Sequence, residues 1–493
     1  MPNRRLRSHL VFSGCLGALF FLALILLSSS IAGGDDAYRH VRFAHRLVTE
    51  PRAALSDPWR LPYFWPKPWD VWFGYHLLLA PFTLVLPLIF SVKLLGALLW
   101  GLTVFVLLRF LDALGARWSR VWVILAVAGS TVVLYRAALV RPFLFSILLV
   151  LLATRYVIED RPRRLAAVCF LHALSYSIFF FPAIPAGLYL LIRRDRRMVI
   201  AVAWCVFGML AGLAANPFFP ENIKVSWQAA LEPFLGEAAA VLDLGGELRP
   251  MNAGWILTAL PVFAVWLPAL AALCVRLKRQ RPTAPQTLLL GISVLFLASA
   301  FRTARSMDYF VPFAVLFAAS ILSAWIETHR EKAAYGFGFL FLMSGFLLVP
   351  AMGTMRDAPS IDRFRAASEF LARQEPDALV VNTHWQHYTV LYFWNWRSRY
   401  VAGIDPSFWY AHDVRRYWLW RHMADDQLPV CAQSDCRNAE LVRLEDAVTI
   451  GLGGRYVIVD RQENPKLDAA LRGNQRMHEA FRDAAISIFA AVE

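Results

Sequence analysis

The sequence predicts a polytopic α-helical membrane protein that ends in a soluble α/β domain. Three observations carry this expectation. The mean hydropathy is +0.47, and 58% of residues are hydrophobic against 17% charged, outside the range of ordinary soluble chains. Apolar runs long enough to enter a bilayer follow one another through residues 1–354, separated by short basic breaks. From residue 355 to 493 the texture changes to short β-branched runs and amphipathic spacing.

The formal net charge of +14 would point to nucleic acid in a soluble protein. Here the basic residues fall at the breaks between apolar runs, as the positive-inside rule expects, so no nucleic-acid partner is expected. Cys15, Cys169, Cys205 and Cys274 lie inside apolar runs and read as small packing residues. Cys431 and Cys436, in the polar stretch CAQSDC, are expected to form a small disulfide loop if that stretch is extracytoplasmic; two free thiols are the alternative.

The N-terminus has a basic start, with Arg4, Arg5 and Arg7, and an apolar run that suits an uncleaved membrane anchor better than a signal peptide. Residues 33–91 then form a first outer loop, in which VWFGYHLLLAPFTLVLPLIF (71–90), interrupted by Pro81 and Pro87, reads as a helix along the membrane surface. Taking that run as a crossing would place the basic segment Arg109–Arg120 outside. Residues 92–111 are therefore the second crossing, and the later apolar runs bring the expectation to about eleven spans, with a second outer loop at 216–253. In the tail, DALVVN and GGRYVIVD read as buried strands and IDRFRAASEFLARQEP as an amphipathic helix.

Chemistry is expected where charge is left beside the membrane. Asp35 and Asp36 follow the first span directly, and such charges are costly unless exposed, paired or bound to an ion. Helical spacing puts His40 one turn from Asp36 and sets Arg39 and Arg42 against Asp35. Oxygen ligands of this kind suit Mg²⁺ or Mn²⁺, and a carboxylate or His40 can act as general base. The alternative is a solvated interfacial helix whose acids neutralise its own arginines.

Asp57, Glu221, Asp243 and Glu247 are further acids of the outer loops. Trp59, Trp65, Trp69 and Trp72 suit either an interfacial belt or a sugar-stacking surface. Arg302, Arg305, Arg136 and Arg141 are retained on the outer side against the charge trend, which suits a phosphate or pyrophosphate as well as lipid headgroups. No Walker A loop, GxSxG elbow, HExxH helix or CxxC pair occurs.

This layout resembles the GT-C superfamily of membrane glycosyltransferases, which includes protein mannosyltransferases, oligosaccharyltransferases and the aminoarabinose transferase of lipid A. The resemblance rests on a span followed by an acidic pair (Asp35, Asp36), a surface helix, LLGALLWGLTVFVLLRFLDALGARW as the next crossing, and ALVRPFLFSILLVLLATRYV as a short outer turn with its span. DDAYRHVRFA, SDPW and WDVWFGYHLL resemble a bacterial branch, and the tail resembles the periplasmic domain that closes many such proteins.

The resemblance implies transfer of a sugar from a polyprenyl phosphate carrier at the periplasmic face of a bacterial inner membrane. Catalytic roles would fall on Asp36, Asp35 and His40, and the substrate phosphate on Arg302, Arg305, Arg42 and Arg141. A divalent metal, Mg²⁺ or Mn²⁺, would be held by Asp35 and Asp36 with Asp57. The family turn that often carries an acid reads Arg141-Pro142 here, so another acid must supply that ligand. A second expectation is a non-catalytic scaffold or lipid-handling protein whose C-terminal domain binds an envelope-assembly partner. A transporter is disfavoured because no central span shows an acid.

Overall fold

The computed structural model describes residues 2–28, 30–31, 36–235, 245–356 and 360–492. Twelve helices lead: α1 (Pro2–Leu27), α2 (Ala37–Thr49), α3 (Pro51–Ser56), α4 (Phe73–Val85), α5 (Leu88–Ala113), α6 (Ser119–Ala128), α7 (Thr131–Ala138), α8 (Phe143–Ile158), α9 (Pro162–Ser175), α10 (Ala183–Arg193), α11 (Arg196–Ala214) and α12 (Glu221–Leu235). They are followed by α13 (Ala253–Thr258), α14 (Leu260–Leu277), α15 (Ala284–Ala300), α16 (Met307–Thr328) and α17 (Arg330–Arg356).

Six helical segments among the described residues are long and apolar enough to cross a bilayer: Arg4–Leu27, Leu88–Ala113, Arg196–Ala214, Leu260–Leu277, Ala304–Thr328 and Arg330–Pro350. The chain is a multi-pass membrane protein, and these six account for part of the eleven spans expected. A seventh arises if α6 and α7 count as one span, although they are bent by 73°. The bend falls at Gly129-Ser130, where the Ser130 hydroxyl caps α7 by accepting from the Val133 N–H. The apolar runs of α4, α8, α10 and α15 fold as helices of 10–17 residues. At 1.5 Å per residue, about 20 residues are needed for ~30 Å of hydrocarbon.

The expected surface helix over 71–90 is also corrected. Helix α4 stops at Val85, Leu86 is extended, and Leu88–Phe90 belong to the following span, which starts directly after Pro87. Helix packing in the membrane part uses small residues for close approach. On α11, Gly208 and Gly212 lie against the backbone carbonyls of Ala166 and Phe170 on α9, where a side chain would collide with the backbone.

Beyond residue 360 the chain builds a five-stranded sheet of order β2-β1-β5-β7-β6, with β1 (Leu379–Asn382), β2 (Arg399–Tyr400), β5 (Tyr456–Asp460), β6 (Met477–Arg482) and β7 (Ile486–Ala491). Strand β1 runs parallel to β2 and β5, while β5–β7 and β7–β6 are antiparallel. All five residues of β5 are buried, which explains its unbroken apolar character. Strands β3 (Val430–Cys431) and β4 (Leu441–Val442) form a separate ribbon, beside which Cys431 and Cys436 are disulfide-bonded.

A second buried cluster, with Val381, Trp420 and Val457, lies wholly beyond residue 355, but the larger core crosses that boundary. Tyr38, Phe43 and Trp59 share one buried cluster with Tyr388, Leu391, Tyr392 and Phe408. Polar clamps reinforce it. Arg46 Nη1 donates to the Tyr392 hydroxyl at 2.7 Å, that hydroxyl donates to Pro58 O at 2.7 Å, and the Tyr400 N–H donates to Arg60 O at 2.9 Å. The segment 36–72 is thus held between the helices and the sheet.

Candidate functional site

A cavity of about 770 Å³ opens where that held segment meets the helix ends and the sheet. Asp36, Arg39, Trp69 and Trp72 form one wall, and Arg136, Arg141 and Arg305 another. Glu247 and Arg249 enter from the chain after α12, while Trp385, Asp405 and Phe408 come from the C-terminal part.

Asp36 stands at the N-cap of α2, and its Oδ1 accepts from Arg39 Nε at 2.9 Å. Burial by itself would raise the Asp36 pKa, but the Arg39 and Arg141 guanidiniums outweigh it and hold the carboxyl below its usual value. Arg39 is 2% exposed, with its guanidinium 4.5 Å from the Trp72 ring centroid and 5.2 Å from that of Trp59. Its Nη1 is buried without a hydrogen-bond partner.

Glu247 meets three guanidiniums: Arg141 Nη1 at 3.1 Å, and Arg136 Nη1 and Arg305 Nη2 in shorter contacts. Burial opposes its ionisation, yet Arg136, Arg305 and Arg141 together hold its pKa well below the usual glutamate value. Arg136 is shared with Asp308, which accepts from its Nε at 2.9 Å and lies 2.8 Å from its Nη2. The backbone aims Arg141 through an unusual turn. Val140 sits at φ 48°, rare for a β-branched residue, and its carbonyl accepts from the Tyr75 hydroxyl at 2.9 Å. Across the cavity, burial raises the pKa of Asp405 although the Ser407 N–H, at 2.9 Å, pulls the other way.

The expected site residues divide. Asp36, Arg141 and Arg305 line one cavity, whereas Asp35 and Asp243 lie outside the described residues. His40 does not reach the cavity. It is 1% exposed, its Nδ1 lies 2.7 Å from His76 Nε2, and His76 Nδ1 lies 2.7 Å from Asp70 Oδ2. Burial first, then Arg39, His76 and Arg141, hold the His40 pKa well below its usual value. Asp36 turns to Arg39 instead of to His40.

Arg42 is likewise displaced from a phosphate role. Its Nε donates to Phe393 O at 2.6 Å and its guanidinium sits 4.3 Å from the Trp396 ring centroid, tying α2 to the sheet part. Arg302 is exposed and absent from the cavity lining, although Arg305, three residues on, is part of it. Asp57 is not a cavity acid: it accepts from the Arg60 N–H at 3.0 Å and Arg60 Nη1 at 3.2 Å, and faces Arg399 at 3.9 Å. Glu221 accepts from Trp65 Nε1 at 2.9 Å and Lys224 Nζ at 2.8 Å, away from the cavity. The transporter argument also needs correction, because the buried acid Asp308 falls within the apolar segment Ala304–Thr328.

Of the three described cavity carboxylates, Asp36, Glu247 and Asp405, the first two are already engaged by arginines. Asp36 is engaged by Arg39, and Glu247 by three arginines, so their oxygens face cations already. Among the described residues two groups lie close enough to share an ion, His387/Asp460/Glu463 and His422/Cys431/Cys436, and neither lines the cavity. The second has its sulfurs in the disulfide, and in the first Asp460 accepts the Arg363 fork at 2.7 and 2.8 Å.

Sequence reading missed Asp405, Asp308 and the Asp70–His76–His40 chain, and gave Arg39 no role in a site. For Arg39 a signal existed: the i, i+3 spacing from Asp36. Asp70 and His76 are near neighbours in sequence, but His40, Asp308 and Asp405 meet their partners through long-range folding.

This combination of membrane helices, C-terminal sheet and half-enclosed charged cavity defines a multi-pass membrane protein with an α/β part docked onto its helices. The chain is similar to the oligosaccharyltransferase of Archaeoglobus fulgidus. Its apo crystal structure superposes with a TM-score of 0.62 at 12% identity, over 94% of this chain and 71% of that one. A structure of the same protein in complex with Zn and sulfate gives 0.55 at 13% identity, over 95% and 70%. At such identities the likeness is one of fold. No protein-family model matches the sequence, and no curated protein does.

Proposed function

We propose that this chain is a glycosyltransferase of a bacterial inner membrane. It moves a sugar from a polyprenyl-phosphate-linked donor to a lipid, glycan or protein acceptor on the periplasmic face. The observation that carries the reading is the meeting of Asp36 with Arg141 and Arg305 in one cavity at the helix ends. Guanidinium forks match phosphate oxygens, and a partly enclosed site strengthens that attraction.

In the reaction, an acceptor hydroxyl attacks the anomeric carbon, the bond from that carbon to the phosphate oxygen breaks, and the electron pair leaves with the polyprenyl phosphate. The anomeric centre inverts. Asp36, kept ionised, orients the hydroxyl and takes its proton, while Arg141 and Arg305 offset the charge gathering on the leaving phosphate. A role for Mg²⁺ or Mn²⁺ would draw on Asp36 with a second acid, such as Asp405 of the same cavity, Asp35 or Asp243.

The test is sugar release from a panel of polyprenyl-phosphate sugars by full-length protein in lipid nanodiscs. Wild-type turnover that Asp36→Asn leaves unchanged would sink the assignment. The second reading, a non-catalytic scaffold or lipid-handling protein of envelope polysaccharide assembly that binds a partner through its C-terminal part, is favoured by the mutual neutralisation of Glu247 and its arginines. It predicts no turnover with any donor.

A further inference from the structure

Glu247 places a carboxylate at the point where the guanidiniums of Arg136, Arg141 and Arg305 converge. Two of these arginines are the ones the proposed function assigns to the donor phosphate. A carboxylate offers two oxygens to a guanidinium much as a phosphate does, so both compete for the same N–H groups. We propose that Glu247 is a resident counter-anion of the phosphate site, and that a lipid-linked phosphate displaces its side chain from Arg141 and Arg305. This rests on the phosphate reading of the cavity given above.

Two features favour exchange over a permanent clamp. Arg136 does not depend on Glu247 for charge balance, because Asp308 already engages its Nε and Nη2. Arg141 and Arg305 have Glu247 in common, so in the absence of substrate it shields two cations in a half-enclosed space.

The backbone shows how the exchange can be local. Glu247 O accepts from the Arg305 N–H at 3.0 Å and from Thr303 Oγ1 at 3.1 Å, and Arg249 O accepts from the Ala304 N–H at 2.9 Å. The backbone at Glu247 and Arg249 is therefore docked onto residues 303–305. The side chain can rotate away while its backbone stays in place.

The experiment measures binding of a C55 polyprenyl monophosphate, and separately of inorganic phosphate, to full-length protein in nanodiscs. Tryptophan fluorescence gives the signal, since Trp69, Trp72, Trp255 and Trp385 line the cavity. Glu247→Gln is expected to bind the lipid phosphate about tenfold tighter than wild type, the gain for a side chain seated about nine-tenths of the time in the empty protein. Glu247→Asp keeps the charge on a shorter arm and guards against misfolding of the Gln variant; its expected gain is smaller. A parallel gain for inorganic phosphate supports exchange with the phosphate group alone, and a gain confined to the lipid supports exchange that also needs the chain. Unchanged or weaker lipid binding in both variants, with binding by wild type intact, overturns the exchange and leaves the phosphate site standing. Absence of binding by wild type and by both variants overturns the phosphate reading itself, and the exchange with it.

Discussion

The Arg39 side chain donates from Nε to Asp36 Oδ1 at 2.9 Å while its face covers the Trp72 ring. This one pairing fixes the first acid of the cavity by a cation that is itself 2% exposed. Asp36→Asn removes the charge and keeps the shape. Sugar transfer is expected to fall by roughly 10²–10⁴, the range for loss of a positioned acid–base group. Turnover of purified protein in nanodiscs measures it, and a loss under threefold would assign Asp36 to structure alone.

Arg305 and Arg302 differ by three residues and by environment, one on the cavity wall and one exposed outside it. Arg305→Gln and Arg141→Gln are expected to raise the KM for the donor about tenfold each, since hydrogen bonds to charged groups contribute about 1.5–3 kcal/mol. Arg302→Gln should leave it within twofold. Steady-state kinetics across donor concentrations distinguish the three.

Asp308 is fully buried, and Arg136 pairs with it at 2.8 Å. Arg136→Met strands that carboxylate, and breaking a buried pair on one side costs about 3–5 kcal/mol. A clear drop in melting temperature in detergent is expected. The double variant Arg136→Met, Asp308→Leu should recover most of it, because no uncompensated charge then remains.

Acid should destabilise the cavity in a defined direction. Asp36 is held below its ordinary 3.8 and Glu247 well below 4.5. Folded-state values lower than unfolded ones mean the stabilisation is present above the unfolded values and is lost as pH falls through the folded ones. These two groups therefore leave the melting temperature unaffected between pH 7 and about pH 5 and lower it only below the ordinary carboxylate range. Glu247→Gln should reduce that acid dependence in a pH series of thermal melts, and an unchanged slope would contradict it.

Much of the fold was legible because its physics is local. Apolar length marked residues 92–111, which lie inside the segment Leu88–Ala113, and the all-buried strand Tyr456–Asp460 showed itself as YVIVD. Span number was less legible, since length along the sequence does not reveal where a helix bends. The 73° turn between α6 and α7 depends on packing around Gly129-Ser130.

The site was legible in part. Spacing put His40 one turn from Asp36, but Asp70 and His76 hold that ring in the protein interior. Arg42 carries the same charge as Arg141, yet the ring of Trp396 and the carbonyl of Phe393 claim it.

By itself the sequence determined that this chain lives in a bilayer, that an acid follows its first span and that arginines are retained near helix ends. Those facts depend on composition and transfer free energy along the chain. Tertiary structure alone decided which charges meet. Residues 36, 141, 247 and 305 are far apart in sequence and adjacent in space, because backbone docking of the Glu247 segment onto residues 303–305 and the strained turn at Val140 point their side chains into one cavity. Charge is a property of the residue, whereas its partner is a property of the fold.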